Sequence, residues 1–203
     1  MSEVKSRPIL FSAPMIQALL AGTKTQTRRA LKFPKWSDAH GGVEFSGLDD
    51  GPSVIAKVSG CFADLPCPYG VPGDYLWCRE TWARYKIDQD SHCTAYRATQ
   101  PADWPEGGNW RPSIFMPRRE SRITLRMTEV RLQRLQEISE ADAIAEGCPA
   151  VSLFDLDCDS TPPSHYYRDL WESINGSGSW AANPLVWAIS FDVIKRNVDQ
   201  LPA

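Results

Sequence analysis

Residues 21–29 read Ala21-Gly22-Thr23-Lys24-Thr25-Gln26-Thr27-Arg28-Arg29, and they place one ammonium, three hydroxyls and two guanidiniums directly after a short apolar segment. Three threonines are unusual in a solvated turn, because β-branched residues are poor turn formers. Lys24 and Thr27 are three positions apart, so they share one face if a helical turn continues past Gly22. If the segment is extended instead, the two side chains point to opposite sides. This stretch is the first candidate for a functional site.

The residues before this stretch predict a short strand followed by a helix. Pro8–Phe11 has the pattern of a strand, and Ser12 suits a helix N-cap with Pro14 in the first turn. An apolar helix face follows, and Gly22 suits the helix end. The apolar residues are Met15, Ile16, Leu19 and Leu20. The position of Lys24–Arg29 therefore depends on where the C-terminal end of the predicted helix lies.

The rest of the chain predicts short strands with helices at only a few connections. Strands are predicted at Ser53–Ser59, Asp74–Ala83, Thr94–Ala98, Ile123–Leu132 with a break near Glu129, and Leu185–Ile194. Helices are predicted at Glu140–Glu146, after a capping box of Ser139 and Asp142, and from Ser164 to Gly176. Irregular segments are predicted at Phe33–Gly51, Cys61–Gly73, Gln100–Pro117 and Pro149–Pro163. The pattern indicates a single α+β domain over residues 1–203, with a small mixed β-barrel as its architecture.

Composition is that of an ordinary globular protein with an uneven charge distribution. The 203 residues are 42% hydrophobic and 23% charged, and the net charge is -3. Between Arg111 and Arg134 there are seven arginines against two glutamates, whereas Glu137–Asp169 holds eight acidic residues against one arginine. One part of the molecule is therefore suited to an anionic ligand although the whole chain is acidic.

The cysteines and the N-terminus predict a reduced, cytoplasmic protein. The six cysteines form no CxxC pair, and the charged N-terminal residues do not resemble a signal peptide. No sequence window approaches the length and hydrophobicity of a membrane span. We therefore expect free thiols and no membrane association.

Gly22-Thr23-Lys24-Thr25-Gln26-Thr27-Arg28-Arg29 resembles the G-x-K-x-x-T-x-R signature of ASCH domains, which have a PUA-like β-barrel. Three further features occur in the order found in that family. They are the Gly73-Asp74 turn before a strand, an Ala-x-x-Glu-Gly helix end at Ala143–Gly147, and an aromatic-rich final strand. The full length is similar to ASCH-like proteins of bacteriophages and prophages. Relative to compact members, the chain has insertions at 33–72, 85–117 and 149–178.

The resemblance implies three alternative activities. Compact bacterial ASCH proteins include amidohydrolases that deacylate N4-acetylcytidine with a threonine, a lysine and a glutamate, which correspond by motif position to Thr27, Lys24 and Glu146. Other members are RNA-binding modules or metal-dependent ribonucleases. The leading expectation is a hydrolase of the exocyclic amide of a modified pyrimidine nucleoside or nucleotide. A non-catalytic RNA- or DNA-binding module is the second hypothesis and a ribonuclease is the third.

The residue types fit an acyl transfer that requires no cofactor. A threonine hydroxyl becomes nucleophilic when a neighbouring base takes its proton, and lysine acts as a base where burial favours the neutral amine. Glu146 is predicted at a helix C-terminus, where the dipole disfavours a carboxylate and so suits it to acid–base work. Arg28 and Arg29 are candidates for binding an anionic group or a carbonyl oxygen. The structural alternative is a threonine-rich loop with solvated cations.

Further candidate substrate-binding residues lie outside the motif. Glu80 and Trp82 share a predicted strand face, where Glu80 either pairs with an arginine, which we favour, or forms a pocket wall beside Lys24. A region rich in arginine and aromatic residues suits single-stranded nucleic acid, or else covers an open side of the barrel. It comprises Trp104, Trp110, Arg111, Phe115, Arg118, Arg119 and Arg122.

No metal site is predicted. Asp155-Leu156-Asp157-Cys158-Asp159 lacks the glycine and the final glutamate of an EF-hand loop and is interpreted as an exposed acidic loop. Cys61, Cys67, His92 and Cys93 lack zinc-ligand spacing. His40 and His165 have no partner that the sequence identifies. The oligomeric state is not predicted.

Overall fold

The computed structural model describes residues 4–32, 43–47, 53–58, 61–85, 92–149 and 161–201. The described strands are β1 Ser6–Leu10, β2 Gln26–Ala30, β3 Val43–Gly47, β4 Ser53–Val58, β5 Cys61–Pro66, β6 Tyr75–Arg79, β7 Trp82–Tyr85, β8 Cys93–Tyr96, β9 Thr124–Arg134 and β10 Leu185–Ile194. The α-helices are α1 Ala13–Ala21, α2 Glu140–Ala145 and α3 Pro163–Asn175. None of the helices in the described ranges is long and apolar enough to span a membrane.

The fold is α+β, built on one mixed five-stranded sheet. The strand order is β1-β6-β9-β10-β2, with β1 parallel to β6 and all other pairs antiparallel. A three-stranded sheet β3-β4-β5 and the hairpin β7-β8 are separate.

The prediction of a closed barrel was wrong for the described residues, because β1 and β2 remain the two edges of the sheet. A side chain spans these edges instead of a backbone ladder. Arg29 Nη2 donates to the carbonyl oxygen of Leu10 at 2.6 Å. The edge carbonyl of β1 is thus satisfied by a guanidinium and not by a strand partner.

Helix α1 has the predicted ends. Ser12 is its N-cap residue, Pro14 lies in the first turn, and Gly22 closes it in the left-handed conformation with φ of 78°. The chain does not continue as a helical turn after Gly22. Thr25 N donates to Ala145 O at 2.8 Å, and β2 begins at Gln26. The β-branched threonines favour this extended course.

Strand β10 is covered on both faces, whereas the alternating sequence pattern predicted that only one face would be apolar and buried. Trp187, Ile189 and Phe191 pack in the main core with residues of α1, β6 and β9. Val186 belongs to a second cluster, in which α2 and α3 pack on the other face. The second cluster also contains Leu135, Ile138, Ala143, Cys148, Tyr167 and Trp171. The sheet therefore holds α2 and α3 next to its β2 edge.

Several boundaries differ from the predictions. The predicted break near Glu129 is a bulge in a continuous β9: Ser190 faces Glu129, but Phe191 faces Met127. The predicted strand Asp74–Ala83 is divided into β6 and β7 by the residues around Glu80. Segments predicted as irregular contain β3 and β5, which pair with the neighbouring strand β4. Their glycine, aspartate, serine and proline residues have low strand propensity, so the sequence pattern hid these strands. His40 and the 155–159 acidic loop lie outside the described residues. Cys67, Cys78, Cys93 and Cys148 are free.

Candidate functional site

A buried ion pair connects the segment after α1 to the end of α2. Lys24 Nζ donates to Glu146 Oε2 at 2.6 Å and to the backbone oxygen of Glu146 at 2.8 Å. The side chain of Lys24 is 0% exposed and that of Glu146 is 3% exposed. Because water does not screen this pair, the two charges depend on each other for compensation. The sequence motif and the distant helix end therefore meet.

A glycine permits this close approach. Gly147 has φ of 96°, a conformation that side chains with a Cβ rarely adopt. A Cβ at this position would lie 3.3 Å from Ala18 Cβ and 3.4 Å from Lys24 Cβ. Glycine therefore both ends α2 and leaves room for the Lys24 stem against it.

A second set of polar contacts fixes α2 on β2. Arg28 Nη2 donates to Asp142 Oδ2 at 2.9 Å, and Arg28 Nη1 lies 3.4 Å from Glu146 Oε1. Gln26 Nε2 donates to Asp142 Oδ1 at 3.0 Å and its own Oε1 accepts from Arg28 Nη1. Ser139 caps α2, because its Oγ accepts a hydrogen bond from the backbone N–H of Asp142 at 3.1 Å. The predicted N-cap residue Ser139 thus also positions Asp142, whose carboxylate binds Gln26 and Arg28 of β2.

The pKa values of two carboxylates indicate how the stability of the fold depends on pH. Burial alone would raise the pKa of Asp142, but Gln26 and Arg28 outweigh it and hold that pKa below its ordinary value of 3.8. Asp74, bonded to Lys5 N and Arg7, also has a pKa lowered from 3.8 against the effect of burial. A carboxyl with a depressed folded-state pKa stabilises the fold above its unfolded-state pKa and loses this contribution as pH falls toward the folded value.

We therefore expect the free energy of unfolding to be level near neutrality and to fall as the pH drops through about 4. Urea denaturation between about pH 6 and pH 3 measures this. Asp74→Asn should reduce the slope. Equal unfolding free energies at both ends of that range would contradict the expectation.

Thr27 and Glu146 line one cavity. Thr27 lies in β2 opposite Ile189 and is 3% exposed. The Lys24–Thr27 contact expected from a helical turn is not among the described hydrogen bonds, since both donor contacts of Lys24 Nζ go to Glu146. Glu146 is therefore the group that touches Lys24 and also faces the cavity with Thr27.

The cavity has a volume of about 70 Å³ and follows the free edge of β2. Consecutive β2 residues from Thr27 to Ala30 contribute to it, so both faces of the strand contribute to its wall. Helix α3 forms the opposite wall through Tyr167, Leu170, Trp171, Ile174 and Asn175. This helix was predicted from its amphipathic pattern, but it lies in the predicted insertion 149–178 and was not assigned to the site. Periodicity reveals an apolar face without its packing partner.

Unpartnered donors surround this space. Arg28 Nε, Arg29 Nε and Trp171 Nε1 are buried and make no hydrogen bond within the described residues. A buried donor without an acceptor destabilises the folded state by about 1–3 kcal/mol. Three such donors on residues that line one cavity are suited to a ligand with acceptor oxygens.

The neighbouring phenol and thiol remain protonated. Burial raises the pKa of Tyr167 well above its ordinary value, and the Glu146 carboxylate adds to this effect. Burial and Glu146 raise the pKa of the Cys148 thiol to about 11. Since the thiolate is the reactive form of cysteine, the protonated Cys148 is a poor nucleophile near neutral pH.

The other predicted substrate-binding residues do not line this cavity. Glu80, 2% exposed, accepts from Arg122 Nε at 2.8 Å and from Arg122 Nη2 at 2.9 Å, which is the arginine pairing that the sequence favoured. Trp82 is buried with guanidiniums over its ring. Arg118 pairs with Asp199 at 2.7 Å, and the Arg119 side chain is 71% exposed. None of these residues lines the cavity that contains Thr27 and Glu146.

The arginine-rich aromatic region forms a distinct surface. The rings of Trp104 and Trp110 stack with centroids 4.1 Å apart and an interplanar angle of 15°. Arg111 lies over the ring of Trp82 at 5.6 Å and makes no ion pair among the described residues. A cavity of about 400 Å³ adjoins them, lined by Arg84, Tyr85, Trp104, Pro105, Gly108, Asn109 and Arg111. Within the described ranges, no three His, Cys, Asp or Glu residues are grouped so that they could hold a metal ion.

Comparison with known proteins does not establish a family. No protein-family model and no curated protein matches the chain. Among solved structures, protein EF3133 from Enterococcus faecalis V583, described as a DUF984 protein, is similar over 100% of this chain and 88% of its own. The sequence identity is 12% and the TM-score is 0.41. A similarity of this size carries no argument about family or activity, so the ASCH resemblance stays a prediction.

Proposed function

We propose that this protein is an ASCH-type, PUA-like hydrolase that removes the acyl group from the exocyclic amide of a modified pyrimidine nucleoside or nucleotide, with N4-acylcytidine as the model substrate. The observation that carries the proposal is the buried Lys24–Glu146 pair, whose acid lines one cavity together with Thr27. A nucleophile, a base and an orienting acid are the parts that acyl transfer requires. A cytoplasmic location and the likeness to phage-encoded proteins belong to the same proposal.

The proposed chemistry begins with proton transfer inside the ion pair. The proton shared by Lys24 Nζ and Glu146 Oε2 moves to the carboxylate, which leaves a neutral amine. Lys24 Nζ then leaves its contacts with Glu146, approaches Thr27 and takes its proton as Thr27 Oγ1 attacks the acyl carbon. Collapse of the tetrahedral intermediate breaks the C–N bond, and Lys24 returns the proton to the departing exocyclic amine. Water then hydrolyses the Thr27 ester by the same proton route.

The unpartnered donors suit the charged intermediate. As the acyl carbonyl becomes an oxyanion, Arg28 Nε, Arg29 Nε or Trp171 Nε1 would gain the acceptor that each lacks. The small cavity fits an acyl group, whereas the pyrimidine would extend from it along the β2 edge. No cofactor takes part in this sequence of steps.

Incubation of the purified protein with N4-acetylcytidine tests the proposal. We expect release of equal amounts of cytidine and acetate, measured by chromatography. N-acetyl amino acids serve as controls for unspecific amidase activity. Absence of turnover of acetylated, longer-chain and nucleotide substrates alike would refute the proposal.

Binding of single-stranded nucleic acid is a second candidate function, favoured by the Trp104–Trp110 stack near Arg111, which forms no ion pair within the described ranges. Base–aromatic stacking and phosphate contacts are the common elements of such surfaces. We expect Arg111→Gln to weaken oligonucleotide binding and to lower its dependence on salt, because one phosphate contact is lost. Fluorescence anisotropy at several salt concentrations measures this effect. Arg97→Gln, at another exposed arginine, is the control, and equal behaviour of the two variants would exclude this surface.

The ribonuclease hypothesis gains no support from the described residues. A metal-dependent nuclease needs clustered carboxylates, and the grouped acids found here are engaged with Lys24 or Arg28. Loss of RNA cleavage on addition of a chelator would be its signature.

A further inference from the structure

A second cavity lies between the two edges of the central sheet, where a barrel would have closed. It is lined by Pro8, Ile9 and Leu10 of β1, Arg29 of β2, Arg79 of β6, and Tyr69, and its volume is about 220 Å³. Leu10 is paired with Arg79 in the β1–β6 ladder, and its carbonyl accepts from Arg29. Arg29 therefore reaches the cavity from the β2 edge, and Arg79 reaches it from β6, the strand next to the β1 edge.

Neither guanidinium has a carboxylate partner in the described parts of the chain. Arg29 donates to Leu10 O and lies 5.1 Å from the centroid of the Phe11 ring. Arg79 lies 4.8 Å from the centroid of the Trp77 ring, and its buried Nε has no acceptor. Two unneutralised cations that line one cavity repel each other, and an anion between them would relieve this repulsion.

Nearby acids are engaged elsewhere. Glu80, the residue after Arg79, forms its paired contacts with Arg122. Asp74, which follows the Tyr69 loop, pairs with Arg7 at 2.9 Å. Burial raises the pKa of Tyr69 although Arg29 partly offsets this effect, so the phenol remains a neutral hydrogen-bond donor. The cavity thus presents donors and positive charge.

We propose that Arg29, Arg79 and Tyr69 form a phosphate-binding subsite, so that the substrate of the neighbouring cavity is a phosphorylated pyrimidine nucleoside. Arg29 lines both cavities, which makes it the connection between the acyl end and the phosphate end of one ligand. Guanidiniums bind phosphate through paired N–H donors. The identity of the base in this inference rests on the proposed function. The phosphate contact is inferred independently, from the residues that line the cavity.

Isothermal titration calorimetry with cytidine 5′-monophosphate, cytidine and inorganic phosphate tests the subsite. For the wild type, we expect the monophosphate to bind at least about tenfold more tightly than cytidine, because its phosphate would gain charge-assisted hydrogen bonds from the guanidiniums. Arg79→Gln should reduce this affinity ratio to near one, and Arg79→Lys should retain part of it. Arg97→Gln removes a charge from a position outside the cavity and should leave the ratio unchanged. Thermal melting confirms that each variant is folded.

The outcomes separate this inference from the proposed function. If N4-acetylcytidine is hydrolysed but phosphate adds no affinity, the subsite is refuted and the hydrolase stands. If the monophosphate or inorganic phosphate binds through Arg79 without any hydrolysis, the subsite stands and the hydrolase is refuted. A cytidine-containing trinucleotide that binds more tightly than the monophosphate would identify a polynucleotide as the source of the phosphate. Equal loss of cytidine and monophosphate affinity in Arg79→Gln would overturn the subsite.

Discussion

Replacing Thr27 by valine is expected to lower the turnover of N4-acetylcytidine by about 10⁴-fold or more, as removal of a nucleophile does in other acyl-transfer enzymes. Valine has the shape of threonine without the hydroxyl, so the buried position stays filled. Steady-state kinetics measure the effect. Thr27→Ser retains the nucleophile and should retain much of the activity.

A covalent intermediate distinguishes a nucleophile from a residue that merely shapes the cavity. Rapid quenching with mass spectrometry should find an acyl group on Thr27 in the wild type and none in Thr27→Val. Turnover by Thr27→Val at the wild-type rate would remove Thr27 from the mechanism. Attack by water, with the Lys24–Glu146 pair as its base, would then be the remaining route to hydrolysis.

Replacing Lys24 by methionine is expected to destabilise the fold by about 3–5 kcal/mol, the usual effect of removing one member of a buried ion pair. Methionine matches the apolar stem of lysine but leaves the Glu146 carboxylate without its 2.6 Å contact. Arg28, at 3.4 Å from Glu146, compensates only in part. Chemical denaturation measures the loss.

The double variant Lys24→Met/Glu146→Gln tests whether the effect belongs to the pair. It should regain part of the stability that Lys24→Met loses, because it buries no uncompensated charge. Hydrolysis should be absent from both variants, because both lack the Lys24 amine. Lys5→Met, at an exposed lysine, is the control for loss of a positive charge. A change below about 1 kcal/mol in Lys24→Met would indicate that water reaches the pair, as for a surface salt bridge.

Local chemistry made several elements predictable. Helix α1 runs from Ala13 to Ala21, with Pro14 in its first turn and Gly22 ending it in the left-handed conformation, because both of these backbone preferences act over one turn. The same reasoning located α2 from Ser139 and its bond to Asp142 N. Alternation identified β10, although it did not reveal that helices cover the second face.

The candidate site was only partly accessible from the sequence. The composition of residues 21–29 singled out Lys24 and Thr27, whereas Glu146 was selected through the ASCH resemblance. Lys24 and Glu146 are separated by 122 residues, and no local pattern predicts such a contact. The wall formed by α3 and the pairing of Glu80 with Arg122 are likewise long-range.

The sequence by itself determined the helix ends, the main strands, the α+β class and the chemical character of the motif, because each depends on neighbouring residues. Only the tertiary structure decided that the sheet stays open, that α3 lies along the β2 edge, and that Arg29 and Arg79 line one cavity. The physical reason is strand pairing and side-chain burial between segments far apart in the chain. Their energies depend on which surfaces meet and not on local preference.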